Sequence, residues 1–168
     1  TTRHALFQQA VTASSFFGRD SIAEPSWAQT APLGALSLAL HPEVLAEADA
    51  ARIRAAIVKS ADGYVKEAGD SGYAQPMGAR AYGWGSNSGL MNRAIILAYA
   101  HDLTGQGPYR DAVVDVADYL LGRNPLDQSY ISFYGARAMQ HPHHRFWAHS
   151  RDPSLPPPPP GVVSGGPN

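Results

Sequence analysis

The chain has 168 residues, of which 13 are lysine or arginine and 14 are aspartate or glutamate, so its formal charge at neutral pH is −1. A chain of this length can bury one ordinary hydrophobic core, and the balanced charge offers no basic surplus to attract nucleic acid or an anionic membrane. The absence of cysteine excludes disulfides, thiol catalysis and thiolate zinc sites. We therefore expect neither nucleic acid nor a membrane as a partner, and no apolar run is long enough to span a bilayer.

Apolar residues at three- and four-residue steps predict three helices in the first half of the chain. The first covers about 3–17. The second covers about 27–40, where Pro32 fits only in a first turn or at a kink. The third begins at Pro42, carries acidic residues at the positive end of its dipole and ends at Gly69.

The second half begins with a long loop, because residues 70–85 carry glycine, proline and aromatics without a period. A loop of that length inside a compact domain is usually functional. A fourth helix is predicted over about 88–101, and a fifth from Pro108 to about 121. The remainder is irregular, and its proline run at 156–160 is interpreted as a surface loop. Helices joined by loops, without credible strand pairs, predict an all-α domain.

The segment 129–145 combines features that are unusual for a purely structural stretch. Pro142 fixes the backbone just before His143 and Arg145, which an extended chain would point to one side. An imidazole beside a guanidinium offers many directed donors, which suits an anionic or polyhydroxylated ligand. Aromatic residues flank the pair, namely Tyr130, Phe133, Tyr134, Phe146 and Trp147. The segment predicts a polar pocket with aromatic walls.

A zinc site is the first alternative, since four histidines lie between positions 141 and 149. Adjacent His143 and His144 would point in opposite directions in an extended segment, and Arg145 would repel a cation. No carboxylate lies among them before Asp152. We therefore disfavour zinc. Histidines simply solvated on a loop remain the other alternative at this point.

The segment closely resembles the histidine-containing active-site signature of glycoside hydrolase family nine, the inverting cellulases. Every constrained position of the signature is matched, by Ser129, Ile131, Ser132, Gly135, Arg137, Pro142, His143 and Arg145. Three further segments resemble the family in the family's order: 84–87 (Trp-Gly-Ser-Asn), 118–125, and 165–168 (Gly-Gly-Pro-Asn). The resemblance is clear from about Tyr82 to the end.

The resemblance implies a six-hairpin (α/α) toroid with long loops lining a cleft. Residues 1–168 would form the C-terminal portion of one catalytic domain. In the family the general base is an aspartate well before this region, and the general acid is a glutamate shortly after Gly-Gly-Pro-Asn. The piece 67–70 (Glu-Ala-Gly-Asp) superficially resembles the base motif, but we interpret it as the end of a helix.

The resemblance also implies roles for individual residues. His143 would be an active-site residue and Arg145 would bind substrate. Trp84 would stack on a sugar ring, the alternative being a core tryptophan, and Tyr134 is a weaker candidate of the same kind. No cofactor is required for the chemistry. A structural calcium ion is expected as an option, to which Asp152 would contribute at most one ligand.

The expected function of the complete enzyme is therefore hydrolysis of β-1,4-glucosidic bonds in cellulose or a related β-glucan, with inversion. The partner is a β-glucan polysaccharide or oligosaccharide, and the implied location is secreted or periplasmic. Two alternatives stay open: an exo-glucosaminidase or chitobiase of the same family, and a non-catalytic carbohydrate-binding fragment. The chain by itself is expected to be inactive.

Overall fold

The computed structural model describes residues 5–78 and 81–167. It contains five α-helices and one short 3-10 helix: α1 Ala5–Thr12, α2 Ala31–Leu40, the 3-10 helix Pro42–Val44, α3 Glu47–Gly69, α4 Ser86–Thr104 and α5 Gly107–Leu121. Within these residues no β-strand forms, only two isolated bridges, so the predicted all-α class is confirmed. The predicted helix start at position 3, positions 79–80 of the long loop, and Asn168 lie outside the described residues.

The first three helices differ from the prediction at their ends. Helix α1 ends at Thr12. The Thr12 hydroxyl donates to the carbonyls of Gln8 and Gln9, and it competes for these acceptors with the backbone N–H groups that would continue the helix. Helix α2 begins at Ala31, which places Pro32 in the first turn, where a missing N–H costs nothing. The predicted third helix is divided, because Leu45 is extended between the 3-10 helix and α3.

The main core lies where α4 packs against both α3 and α5, while α2 packs against α3. Its fully buried side chains include Ile57 from α3 and both Ile96 and Leu97 from α4. Each such side chain contributes about 1.5–3 kcal/mol by leaving water. Gly105, in the left-handed conformation at φ 72°, ends α4 and allows α5 to begin two residues later. Among the helices described, none combines the length and apolar character needed to cross a membrane.

A second, smaller core lies at the start of α4 and the end of α5. It contains Met77, Leu90, Val116, Tyr119, Leu120 and Tyr130. The rings of Tyr119 and Tyr130 are 5.8 Å apart between centroids, and Tyr130 is only 4% exposed. Its backbone N–H donates to the Leu120 carbonyl, and its ring lines a small pocket of about 300 Å³ together with Tyr82 and Tyr119.

The C-terminal segment 159–167 fastens the 129–132 stretch to the start of α4. The Ser132 hydroxyl donates to the Pro159 carbonyl and accepts from the N–H of Val162. The N–H of Ser164 donates to the Tyr130 carbonyl at 2.8 Å. A few residues on, the segment reaches Ser86 and Asn87. The irregular end of the chain is thus held by hydrogen bonds to both neighbours.

Candidate functional site

A groove of about 810 Å³ opens at the start of α4. Its walls come from three stretches of chain: 24–27, the end of the long loop with the first turns of α4, and Gly165. Two tryptophans line it, Trp27 with 91% and Trp84 with 79% of its surface exposed. The polar lining residues are Glu24, Ser26, Ser86, Ser88, Asn92 and Arg93. The groove therefore combines two flat apolar faces with hydrogen-bonding groups.

Trp84 projects from the turn that leads into α4. Gly85 follows it in the left-handed conformation at φ 81°, which turns the backbone sharply into the helix. Trp84 is not part of the core of this chain, because 79% of its surface is exposed. Its position on the groove fits the expected stacking face, although its role stays a prediction.

Trp27 was not anticipated from the sequence. It lies in a tight turn in which Ser26 and Gln29 exchange backbone hydrogen bonds of 2.9 and 3.1 Å. The periodic pattern placed it at the start of the second helix, where a tryptophan would be expected to pack. The available signal was Pro32, because a helix that keeps this proline in its first turn must begin after Trp27.

Beneath the groove, Arg93 bridges two carboxylates. Its guanidinium lies 3.1 Å from Glu24 and 2.8 Å from Glu67. Burial alone raises the pKa of Glu24, but a backbone hydrogen bond, the charge of Arg93 and hydrogen bonds from Arg93 and Tyr64 outweigh it, so the pKa lies below its ordinary value. Helix α3 ends at Gly69, which confirms the interpretation of 67–70 as a helix end.

His143 and Arg145 lie in an irregular stretch of backbone. The chain bends at both residues, so the expectation that extended backbone aligns them is wrong. Both side chains are nevertheless exposed, and neither has a hydrogen-bond partner among residues 5–78 and 81–167. His144 is half-buried and stacks on Trp147, with ring centroids 3.9 Å apart. The stacking separates His144 from its two exposed neighbours.

Tyr134 also lies at the surface, with 56% of its area exposed. It sits in a tight turn, donating its N–H to the Ile131 carbonyl at 3.3 Å. Phe133 and Gly135 on either side have positive φ values of 63° and 87°. The guanidinium of Arg137 lies 3.0 Å from Asp127, and both side chains are mostly exposed. Tyr134 faces solvent in this chain.

The structure places the four predicted site residues in two locations. Trp84 lines the groove, whereas Tyr134, His143 and Arg145 lie in the C-terminal stretch and are not among the described residues that form the groove walls. The end of the chain, rather than the stretch with His143 and Arg145, is bound to α4: Asn87 donates from its backbone to Gly165 and from its side chain to Ser164, each at 3.1 Å.

The side chains of the histidine-rich stretch do not form a metal site among the described residues. The Nδ1 atom of His149 lies 2.7 Å from the Leu155 carbonyl, and the Asp152 carboxylate accepts from the hydroxyl of Ser154 at 2.7 Å. No group of three or more histidine, aspartate or glutamate side chains is arranged to hold a metal ion in the part of the chain that the structure describes. The described residues thus do not build a cage for calcium, and this ion stays a prediction from the resemblance.

Comparison with known proteins places these observations in a family. Residues 1–168 match the sequence profile described as Glycosyl hydrolase family 9. The chain is 42% identical over 148 residues to a cellulose 1,4-beta-cellobiosidase from Acetivibrio thermocellus, covering 85% of the chain and 16% of that protein. It is 39% identical over 173 residues to Endoglucanase C from Cellulomonas fimi, covering 100% of the chain and 15% of that protein.

Among solved structures, the chain resembles the family 9 endoglucanase J30 with a TM-score of 0.89 and 29% identity, covering all of this chain and 30% of that one. The chain thus spans about a sixth of the curated relatives and under a third of this solved neighbour. The agreement in fold confirms the expectation that the helices form part of a six-hairpin (α/α) toroid. The chain belongs to glycosyl hydrolase family 9.

Proposed function

We propose that the complete protein hydrolyses β-1,4-glucosidic bonds in cellulose or a related β-glucan with inversion at the anomeric carbon. This chain would supply part of the cleft that binds the glucan. The proposal is supported by the family membership and by the activities named in its relatives, a cellobiosidase and an endoglucanase. It is a proposal about the complete protein, of which the chain corresponds to a part.

The observation that carries the proposal is the pair of exposed tryptophans on one groove. Both tryptophans line the same groove and are mostly exposed in this chain, and large exposed aromatic side chains on one groove are typical of a ligand surface. Pyranose rings present C–H faces that stack on indole, while their hydroxyl edges need polar partners. Trp27 and Trp84 supply the faces, and Ser88 and Asn92 are among the polar partners.

His143 and Arg145 would hold hydroxyls of the sugars next to the scissile bond. Both groups are exposed and unpartnered within the described ranges, so they are available to a ligand. Sugar contacts that tighten as the oxocarbenium-like transition state forms contribute several kcal/mol to catalysis. His143 would therefore act in the active site, Arg145 in substrate binding, and the exposed ring of Tyr134 as a further contact.

The general acid and base of an inverting glycosidase would come from elsewhere in the complete protein. The two carboxyl groups must lie about 6.5–9.5 Å apart, and the acid needs a raised pKa. Glu24 lines the groove, yet it is held by Arg93 and Tyr64, and its pKa is lowered. It is therefore poorly suited to protonate a leaving group. We also expect the complete protein to act outside the cytoplasm, as the resemblance implies.

The proposal is tested with the complete protein and cellopentaose, following the anomeric protons of new reducing ends by NMR. The α-anomer should form first. His143→Ala should lower turnover by about 100-fold or more, with little change in the thermal unfolding midpoint, because it removes transition-state contacts rather than packing. His141→Ala, an exposed histidine two positions away, serves as the matched control.

Three results would count against the proposal. First appearance of the β-anomer would contradict inversion, and unchanged turnover in His143→Ala would remove that residue from the site. Cleavage of chitobiose but not cellopentaose would favour the glucosaminidase alternative. Binding of cellopentaose without any cleavage would favour a carbohydrate-binding protein.

Stacking by the tryptophans is tested separately by calorimetric titration with cellohexaose. Trp84→Ala should weaken binding about tenfold, or about 1.4 kcal/mol, because it removes the apolar face on which a pyranose ring would stack. Its effect on the cleavage of activated short substrates should be smaller. Tyr73→Ala is the control, because Tyr73 is a partly exposed aromatic on the same loop that does not line the groove. Equal affinities of Trp84→Ala and the control would place the sugar elsewhere.

A further inference from the structure

Arg93 occupies a junction between four stretches of chain. It lies on α4, and its side chain is only 14% exposed. Its guanidinium donates to Glu24 before α2, to Glu67 on α3 and to the Pro76 carbonyl on the long loop. The guanidinium carbon also lies 5.0 Å from the ring centre of Tyr64, whose hydroxyl donates to Glu24 at 3.0 Å. One side chain thus joins α3 and α4 to both neighbouring loops.

The first of these attachments fixes the turn that carries Trp27. Glu24 precedes this tryptophan by three residues. Its carboxylate accepts hydrogen bonds from two nitrogens of the guanidinium, at 3.1 and 3.2 Å. The residue of α4 just before Arg93, Asn92, donates its side-chain amide to the Pro25 carbonyl at 2.8 Å. The backbone on the N-terminal side of Trp27 is therefore held to α4 at two consecutive residues.

The second attachment holds the long loop at Pro76 and Gly78, on the N-terminal side of Trp84. Arg93 binds the Pro76 carbonyl directly, and it holds one carboxylate oxygen of Glu67. The other oxygen of Glu67 accepts the backbone N–H of Gly78 at 2.6 Å. The loop that later reaches Trp84 is thus anchored to the same guanidinium that anchors the turn of Trp27.

We propose that Arg93 is a positioning residue that sets the separation of Trp27 and Trp84, and with it the way the groove receives consecutive sugar units. This inference rests on the proposed function of the groove. The guanidinium suits the task because its five donors lie in one rigid plane and reach two carboxylates and a carbonyl at once. A lysine carries the same charge on a flexible stem and lacks the planar fork.

The proposed role of Arg93 predicts different effects on the affinity for long and for short sugars. A glucan long enough to contact both tryptophans depends on their separation, whereas a short sugar that contacts one of them does not. A residue that served stability alone would change the affinity for both ligands by the same factor. Arg93→Lys should therefore weaken binding of cellohexaose and leave cellobiose nearly unchanged.

The experiment is a double-mutant cycle in the complete protein, with cellohexaose and cellobiose titrated calorimetrically. Arg93→Lys should weaken cellohexaose binding about fivefold in the native background and less than about twofold in a Trp27→Ala background, because the two residues act through one contact. Arg110→Lys is the control, an exposed arginine of α5 that pairs only with its neighbour Asp111 among described residues. Its affinities should match those of the native protein.

Should Arg93→Lys fail to fold, Glu67→Gln replaces it, because the amide keeps an oxygen for Gly78 and loses the ionic bond to Arg93. Losses of equal size with and without Trp27, equal losses for both ligands, or no loss at all would overturn the positioning role while leaving the glucan site intact. Failure of the native protein to bind cellohexaose would instead remove the proposed function, so the two failures are distinguishable.

Discussion

Gly166 approaches the start of α4 so closely that a Cβ atom on it would lie 2.3 Å from the Oγ of Ser86. The same atom would lie 2.8 Å from the backbone nitrogen of Asn87, and the backbone of Gly166 has a φ of 108°. Only glycine fits both the space and the conformation. The C-terminal segment therefore rests against the helix that forms one wall of the groove.

Gly166→Ala should destabilise the complete protein by about 3 kcal/mol or more. The new methyl group must displace backbone atoms of α4, and the alanine must keep a φ that side chains rarely adopt. Gly165→Ala is the control, since the nearest atom to its Cβ would be the Cα of Gly85 at 3.9 Å, an ordinary contact. Thermal unfolding of both variants gives the comparison. Similar midpoints for the two would show that the segment yields easily and is not fixed on α4.

Asn124 supports the turn after α5 through both ends of its amide. The nitrogen donates to the carbonyls of Tyr119 and Gln128, each at 2.8 Å, and the oxygen accepts two backbone N–H groups. Asn124→Ala should cost about 2–4 kcal/mol, because the variant leaves buried polar groups unpaired.

The control for Asn124 is Asp118→Ala, which removes only an exposed pair 3.9 Å from Arg123 and should change stability by less than about 1 kcal/mol. Denaturant unfolding measures both. A loss for Asp118→Ala as large as that for Asn124→Ala would contradict the structural role assigned to the buried amide.

Glu24 makes the stability of the groove depend on pH in a defined direction. Its pKa in the folded protein lies below the ordinary value of 4.5, so its ionised form is favoured by folding. The stabilisation is present above that ordinary value and is lost as the pH falls through the folded pKa. The native protein should therefore lose more stability than Glu24→Gln on acidification below about pH 4.5. Parallel melting curves for the two proteins across this range would show that Glu24 has no such role.

Much of the fold could be predicted from the sequence, because the signals for α3 and α5 are local. Apolar stripes mark both helices, and glycines mark their ends, as at Gly122, where the backbone N–H caps the last turn. The break before α3 was missed because it depends on Leu45, which is compatible with helix in isolation but is extended here. The spacing of the apolar residues gives no sign of a break at Leu45.

The site was predictable where a motif marked it and not where tertiary packing decided. Sequence neighbours pointed to Trp84, His143 and Arg145, all three of which are exposed in this chain, and their roles stay predictions. The packing of Tyr130 on Tyr119 could not be predicted, because the sequence around Tyr130 gives no sign of which ring it contacts. The exposure of Trp27 likewise follows from where α2 starts, which Pro32 controls.

We expect a β-1,4-glucan to lie along the groove between Trp27 and Trp84 in the complete protein and to reach His143 and Arg145. The most direct measurement is a crystal structure of the complete protein with bound cellohexaose. We predict pyranose rings stacked on both indoles, within about 4 Å, and sugar hydroxyls hydrogen-bonded to the imidazole and the guanidinium. A sugar bound away from both tryptophans, or His143 and Arg145 facing the outside of the toroid, would contradict the account.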